Sequence, residues 1–463
     1  MKSASGRSRK RVLKPTQVIV IGFATAILVG AFLLSLPIAN TNREWVSFVD
    51  ALFTSTTSLC GSGLTVYDTG AFFNIFGQIV ILLLIQIGGL GVMAVATLVF
   101  TLIRKKISYS ERLMLQQTLS SDAAGGVVKM TRYLLACSAI IEGAGFVLLL
   151  PGFIIEYGAA GIFKALFTAV SSFCNAGIDV CGASVTGGFS ISPLAGSVSV
   201  LLSMSFLVIL GGLGFTVILD VVRRRTRFKK YALHTKLVLI AAAVLLAAGT
   251  LFFLVAEYDN PDTLGGMNFG QKLLNAFFLA VTPRTAGFSV FPPDSLTAIS
   301  RFFTMFLMII GGSPASTAGG VRTTTIVILL FIIVSAARDK RSVIIAKRRI
   351  NFRTAMRAVS MLFFAVALIV IGTLVLFAVE AGNPDMAKYY SLEHIIYEVI
   401  AALSTAGLTL GITPHLSAVS KLTLALLMFV GKLGPLTLGL LFASKTGGIK
   451  PIVLYPDANV IVG

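Results

Sequence analysis

Charge is what this sequence lacks most. Only 12% of its 463 residues are Asp, Glu, Lys or Arg, about half the share of a water-soluble domain, so a soluble globular fold is excluded. Acid is the scarcer sign, with 19 carboxylates against 38 Lys and Arg and a net charge of +19. The three histidines, His234, His394 and His415, are scattered, and Cys60, Cys137, Cys174 and Cys181 have no metal-binding spacing. The cysteines read as small, soft packing residues. No Asp–Asp, Ser–His or metal set suggests an enzyme. The connections between apolar runs are too short for a nucleotide-binding domain, and no strand-linked G-x-G-x-x-G is present. No cofactor is expected in this chain.

Hydrocarbon takes the place of charge. The chain is 56% hydrophobic with a mean hydropathy of +0.92, and runs such as 16–39, 72–103 and 358–379 exceed the ~20 residues that span a bilayer as a helix. This is a polytopic, all-α membrane protein. Its basic residues gather in the tail (Lys2, Arg7, Arg9, Lys10, Arg11, Lys14) and in loops 104–106, 223–236 and 338–353. The opposite loops carry Glu257, Asp259, Asp262, Glu380 and Asp385. That asymmetry places both termini in the cytoplasm of a plasma-membrane protein. The basic clusters therefore read as topology signals and contacts for anionic membrane lipid, not for nucleic acid. The first apolar run is too long for a cleavable signal peptide, and no A-x-A-like site follows it.

One short pattern recurs four times. A glycine followed by an apolar residue ends Gly61-Ser62-Gly63-Leu64, Asn175-Ala176-Gly177-Ile178, Thr285-Ala286-Gly287-Phe288 and Thr405-Ala406-Gly407-Leu408. Ten residues before each final glycine stands Phe53, Phe167, Phe277 or Tyr397. A second echo follows on the next apolar run, beginning at Gly88-Gly89, Gly211-Gly212, Gly311-Gly312 and Gly431-Lys432. Two echoes in step indicate one unit copied four times. The third and fourth copies also share an outer Glu-x-x-Asn-Pro-Asp, 257–262 and 380–385.

Each unit reads as a spanning helix, a short helix, a glycine loop and a return helix. The short helices fall at 47–58, 162–173, 271–281 and 392–403, and the return helices at 72–103, 192–222, 300–336 and 416–443. The expected organisation is a basic tail (1–15), repeats at 16–107, 130–222, 236–336 and 354–443, and a C-terminal tail (444–463). Eight transmembrane helices would then surround one pseudo-fourfold pore. A segment too short to cross must re-enter, and irregular backbone at membrane depth survives only beside protein or a water-filled cavity. Four such loops on one axis can replace a cation's hydration shell with backbone carbonyls, and glycine reaches the unusual dihedrals at least cost. The short helices would aim their negative ends at the ion. No acidic residue lies in the four motifs; Asp179 lies just past the second. A monovalent cation fits better than a divalent one. An alternating-access carrier would also explain broken helices, but it calls for inverted repeats, whereas these four run in one sense.

The glycine quartet, Thr-Pro-Arg-Thr-Ala-Gly-Phe at 282–288, Ser-Thr-Ala-Gly-Leu-Thr at 404–409, Gly-Gly-Ser-Pro-Ala-Ser-Thr-Ala-Gly-Gly at 311–320 and the ending Tyr455-Pro456-Asp457…Gly463 resemble the Trk/Ktr/HKT potassium transporters. The likeness covers nearly the whole chain and is greatest to bacterial Ktr membrane subunits. It implies potassium uptake, often sodium-stimulated, by a homodimer with one pore per protomer. It also implies control by an RCK-type cytoplasmic ring of separate subunits that bind the nucleotide. Carried onto this sequence, the potassium filter is Cys60, Gly61, Ser62, Gly63, Asn175, Ala176, Gly177, Thr285, Ala286, Gly287, Thr405, Ala406 and Gly407, coordinating through backbone carbonyls only. The resemblance also makes 311–320 an intramembrane gating loop: Gly311, Gly312, Ser313, Pro314, Ala315, Ser316, Thr317, Ala318, Gly319 and Gly320.

Pro314 and the glycines break a helix there by themselves. Lys432 stands where the first two copies have Gly89 and Gly212, and a cation at that depth is a functional candidate. It reads as an electrostatic barrier in the pore or as the partner of Glu142 or Glu398. The family usually has arginine there, and lysine keeps the charge without the planar fork. The first filter loop also departs from the family's valine–threonine–glycine type, and Gly61 would add flexibility. Serine in place of the first filter glycine accompanies sodium selectivity in plant relatives; the glycine retained here favours potassium over a sodium-selective or sodium/potassium-cotransporting alternative. Arg284 reads as a brace for a short helix, Glu142 as a tie between helices, and Asp220 as a residue of the inner membrane edge. The Gly-Gly pairs read as sites of close helix packing.

Overall fold

A computed structural model describes residues 15–91, 127–181, 191–225, 227–339, 343–346, 348–386 and 391–434. The basic tail before residue 15, the 104–106 cluster, the ends of the first and fourth return runs and the C-terminal tail lie outside the described residues.

Among the described residues, fourteen α-helices of ten residues or more carry the architecture. The first unit contains α1 (Pro15–Ser35), α2 (Phe48–Cys60) and α3 (Ile75–Leu90); the second contains α4 (Val127–Tyr157), α5 (Gly161–Phe173), α6 (Val198–Leu213) and α7 (Phe215–Arg224). The third contains α8 (Leu233–Ala256), α9 (Phe269–Val281), α10 (Ala298–Ile309) and α11 (Thr323–Ala337). The fourth contains α12 (Phe352–Glu380), α13 (Leu392–Ser404) and α14 (Ala418–Leu433). Among the described residues the only strands are Ile344–Ile345 and Arg348–Arg349, an antiparallel pair.

Length sorts these helices into two kinds. The long apolar helices α1, α4, α8 and α12 open the four units, and each is long enough to cross a bilayer. The bent pair α6–α7 makes a fifth if counted as one span. α2, α5, α9 and α13 have 13 residues each, about 20 Å of helix and too short to cross. Side chains such as Phe363, Phe364, Ile371 and Leu374 on α12, and Ile240, Val244, Leu251 and Val255 on α8, are exposed. These apolar faces suit acyl chains and not water. The chain is an integral membrane protein.

The return runs are not single straight helices. α3, α6 and α14 end at Gly91, Gly214 and Gly434, with φ of +86°, +87° and +84°, and α7 leaves α6 at 98°. In the third unit the break is longer, from Ile310 to Arg322.

The shared outer Glu-x-x-Asn signature has a physical role. Glu257 accepts hydrogen bonds from Thr297 N (2.9 Å), Thr297 Oγ1 (2.7 Å), Asn260 Nδ2 (2.7 Å) and Thr263 Oγ1 (2.8 Å). Glu380 repeats this with Ser417 N (3.0 Å), Ser417 Oγ (2.7 Å) and Asn383 Nδ2 (2.6 Å). Thr297 and Ser417 cap α10 and α14, so each carboxylate joins an opening helix to the start of its return helix. Burial raises the pKa of Glu257, but hydrogen bonds from Ser300, Thr297, Asn260 and Thr263 outweigh it and hold the carboxyl below its ordinary range.

A carboxylate with a depressed folded pKa stabilises fully at neutral pH, and that contribution is lost as pH falls through the folded value. Glu257→Gln is expected to lower the thermal midpoint at pH 7 by roughly 3 °C. Melting curves across pH should show the gap to the native chain closing below the ordinary carboxylate range. Equal midpoints at pH 7 would refute this role.

Candidate functional site

Each 13-residue helix ends at one of the repeated loops, and the four loops share a backbone form. The first loop position is left-handed in every copy: Gly61 (φ +63°), Asn175 (+53°), Thr285 (+66°) and Thr405 (+51°). Two residues later Gly63, Gly177, Gly287 and Gly407 have φ of +82°, +67°, +79° and +81°. Three copies therefore hold a side-chain residue in a conformation that L-residues avoid. Gly61 sits where glycine is at ease, so the added looseness expected of it is instead a relief of strain. The loops are tied back to their helices by Ser62 N to Thr57 O, Ala176 N to Ser171 O and Ala406 N to Ala401 O, each 2.9 Å. The third differs, with Ala286 N donating to Thr282 O at 3.0 Å.

The four final glycines meet. A β-carbon on Gly63 would stand 3.0 Å from Gly407 Cα and 3.2 Å from Gly177 Cα; on Gly177 it would stand 2.7 Å from Gly287 Cα; on Gly287, 3.1 Å from Gly407 Cα. The ring closes in chain order. The same added carbons would also strike the next loop's carbonyl: Ala176 O at 2.9 Å, Ala286 O at 2.6 Å, Ala406 O at 3.0 Å and, from Gly407, Ser62 O at 2.3 Å. Backbone oxygens thus crowd the ring at the C-terminal ends of four helices. The hydroxyls of Ser62 and Thr405 are buried with no protein partner. Cys60, the last residue of α2, is fully buried. Of the four aromatics, Phe53, Phe167 and Tyr397 are buried, while Phe277 is half-buried.

The second echo explains how the loops are held. A β-carbon at Gly88 would lie 1.7 Å from Leu59 O, at Gly211 2.0 Å from Phe173 O, and at Gly431 1.9 Å from Leu403 O. These glycines let return helices press against the ends of the short helices, as the packing reading expected, and each helix ends a few residues later. Gly311 departs from the pattern, since its β-carbon would meet Gly319 O at 2.0 Å. The third copy has become part of a different structure.

That structure is the segment 311–320, which folds into the break between α6 and α7. Ser313 N donates to Gly212 O (2.9 Å), Phe215 N to Ala315 O (3.0 Å), and Thr317 Oγ1 to Phe173 O (3.2 Å). Gly311 N donates to Val321 O (2.9 Å), and Thr323 Oγ1 donates to Gly311 O (2.7 Å). Ser316 Oγ closes a turn on Ser313 O (2.7 Å) beside Pro314. Ser313, Thr317, Ala318, Gly312 and Gly319 are buried. A β-carbon at Gly319 would collide with Thr405 Oγ1, and Gly320 lies against Ser404, so the segment packs directly beneath the fourth loop.

Lys432 joins the two features. Its Nζ donates to Thr317 O at 2.6 Å and would stand 3.4 Å from a β-carbon on Gly61. The pairing with Glu142 or Glu398 is not made. Glu142 accepts from Gln86 Nε2 at 3.1 Å, tying α3 to α4, and Glu398 accepts from Thr409 at 2.8 Å and from Thr413. Each acid is satisfied by neutral donors, so Lys432 uses a backbone carbonyl. Asp220 accepts from Ala232 N (2.9 Å) and Thr235 Oγ1 (2.8 Å) and pairs with Arg224 (2.7 Å), joining α7 to α8. Arg284 N donates to Val281 O at the end of α9 (3.2 Å), while its guanidinium Nε is buried without a hydrogen bond.

Sequence reasoning missed Arg322, whose Nη1 donates to the carbonyls of Ala318 and Ser313 and clasps the segment from within. A buried cation directly after the glycine-rich stretch was the available signal. It also missed Lys421, whose Nζ meets Asp50 Oδ1 at 2.7 Å and ties α14 to α2.

Residues 14–447 match the profile of the TrkH family, described as a cation transport protein. The chain is 39% identical to the potassium/sodium uptake protein NtpJ of Enterococcus hirae, covering 99% of each chain. It is 37% identical to the Ktr system potassium uptake protein B of Bacillus subtilis, covering 97% of each. The potassium transporter TrkH of Vibrio parahaemolyticus has the same fold, with a TM-score of 0.74 over 95% of this chain and 87% of that one at 16% identity. A family match over nearly the full length, carried by a chain whose four glycine loops meet in one ring, places this protein in the TrkH family of cation transport proteins.

Proposed function

We propose that this chain takes potassium into the cell through a pore whose selectivity filter is the four-glycine ring. The observation that carries the reading is the mutual contact of Gly63, Gly177, Gly287 and Gly407. Carbonyls of the intervening residues, with the unpartnered hydroxyls of Ser62 and Thr405, would take the place of the ion's water. Relatives named for potassium uptake support the choice of ion.

Segment 311–320 with Lys432 acts as the gate. Its hydrogen bonds to the α6–α7 break and to Lys432 support that reading, and opening would exchange those bonds for water. The relatives' description as parts of a Ktr system supports a separate regulatory partner. A homodimer with an RCK-type, nucleotide-binding ring on the cytoplasmic side fits the basic loops 223–236 and 338–353. A second reading, transport or activation by sodium, is favoured by the relative named for potassium and sodium uptake.

Cation flux into liposomes carrying the purified chain separates the two, with strong preference for potassium and rubidium expected over sodium. Gly287→Ser adds a β-carbon within about 3 Å of neighbouring backbones and should reduce the potassium preference at least tenfold, a change of about 1.4 kcal/mol. An unchanged preference would remove the ring from the filter role. Lys432→Gln, lacking the charge on Thr317 O, should raise basal flux several-fold in the same assay; flux at or below that of the native chain would count against the gate. Reversing the charges of loop 223–236 should leave basal flux intact and abolish its nucleotide response in the presence of the regulatory subunit. A full response would exclude that surface.

A further inference from the structure

Arg284 is a charged group without a visible counterpart. It lies three residues before Gly287, just past the end of α9. Its backbone N–H donates to Val281 O at 3.2 Å, but its Nε is sealed from solvent and makes no bond. The ion pairs among the described residues join Arg224, Arg301 and Lys421 to carboxylates and do not include it. The buried acids Glu142 and Glu398 are already satisfied by Gln86, Thr409 and Thr413. A guanidinium does not lose its proton at neutral pH, and Arg284 is half-buried, so its charge lacks both full hydration and a carboxylate partner. The partial negative charge at the end of α9 offsets part of this.

Beside Arg284 is a cavity of about 20 Å³, whose lining includes Val208, Leu213, Leu246 and Val281 and the glycines Gly212 and Gly312. It is large enough for one water-sized particle and too small for a carboxylate, a phosphate or a lipid headgroup. Its side-chain walls are otherwise apolar and hold no carboxylate, and a small anion would answer the guanidinium charge directly.

We propose that this chamber is an internal anion site, holding one halide-sized monovalent anion against the Arg284 guanidinium. If the glycine ring is the filter, as argued above, the anion also prevents Arg284 from repelling the cation beside the third loop. That consequence rests on the pore reading; the binding does not.

The test therefore reads binding and not transport. Purified protein is melted in potassium chloride, bromide or gluconate at equal potassium concentration and ionic strength. A saturable rise of about 1–3 °C in chloride and bromide is expected, absent from Arg284→Met. Crystals grown in bromide should show anomalous density beside Arg284, which decides the matter if the variant does not fold. Identical midpoints in all three salts, the same rise in the variant, or no bromide density there would overturn the proposal and leave water in the chamber.

Discussion

Four backbones in van der Waals contact leave no volume for a side chain, and that exclusion governs the rest of the molecule. Gly63, Gly177, Gly287 and Gly407 each stand so close to a neighbouring loop that a single added carbon would overlap it. The contact is possible only if four 13-residue helices end at one depth and aim at one axis. Three of them are in turn pressed by their own return helices, while in the third unit Gly311 packs on Gly319 of its own segment. Gly88, Gly211 and Gly431 permit that pressure by accepting a carbonyl where a β-carbon would be. Exclusion at the axis thus demands a second layer of exclusion behind it.

The third unit shows what happens when the second layer is altered. Gly311 folds onto Gly319 of its own segment, and the freed length, 311–320, reaches across to the break at Gly214. It is secured by backbone bonds to Gly212 and Phe215 and by two cations, Lys432 and Arg322. Carbonyl oxygens, rather than carboxylates, satisfy both cations. Dipoles compensate a buried charge only in part, so these contacts can be exchanged for water more readily than a full ion pair could be.

Full ion pairing and dense carboxylate bonding are placed away from this region. Asp50 with Lys421 fastens the first unit to the fourth, and Glu257 and Glu380 fasten opening helices to return helices at the outer ends. The frame is held by charge-assisted bonds and the segment beneath the ring by neutral acceptors.

The membrane class, the four short helices and the repeated glycines were legible in the sequence because each rests on local physics. Span length follows from hydropathy, helix ends from caps and breaks, and the loops from residue types that tolerate left-handed backbone. The short helices at 162–173 and 392–403 match α5 and α13 to within one residue at each end. What pairs with what was decided only in three dimensions. Lys432 had two carboxylates to choose from by depth alone, and both are already satisfied, Glu142 by Gln86 of another helix and Glu398 by Thr409 and Thr413 just after its own. The roles of Gly88, set against Leu59, and of Lys432, set against Thr317, depend on atoms brought close from distant parts of the chain. Spacing in sequence carries no record of such distances, because packing, not periodicity, sets them.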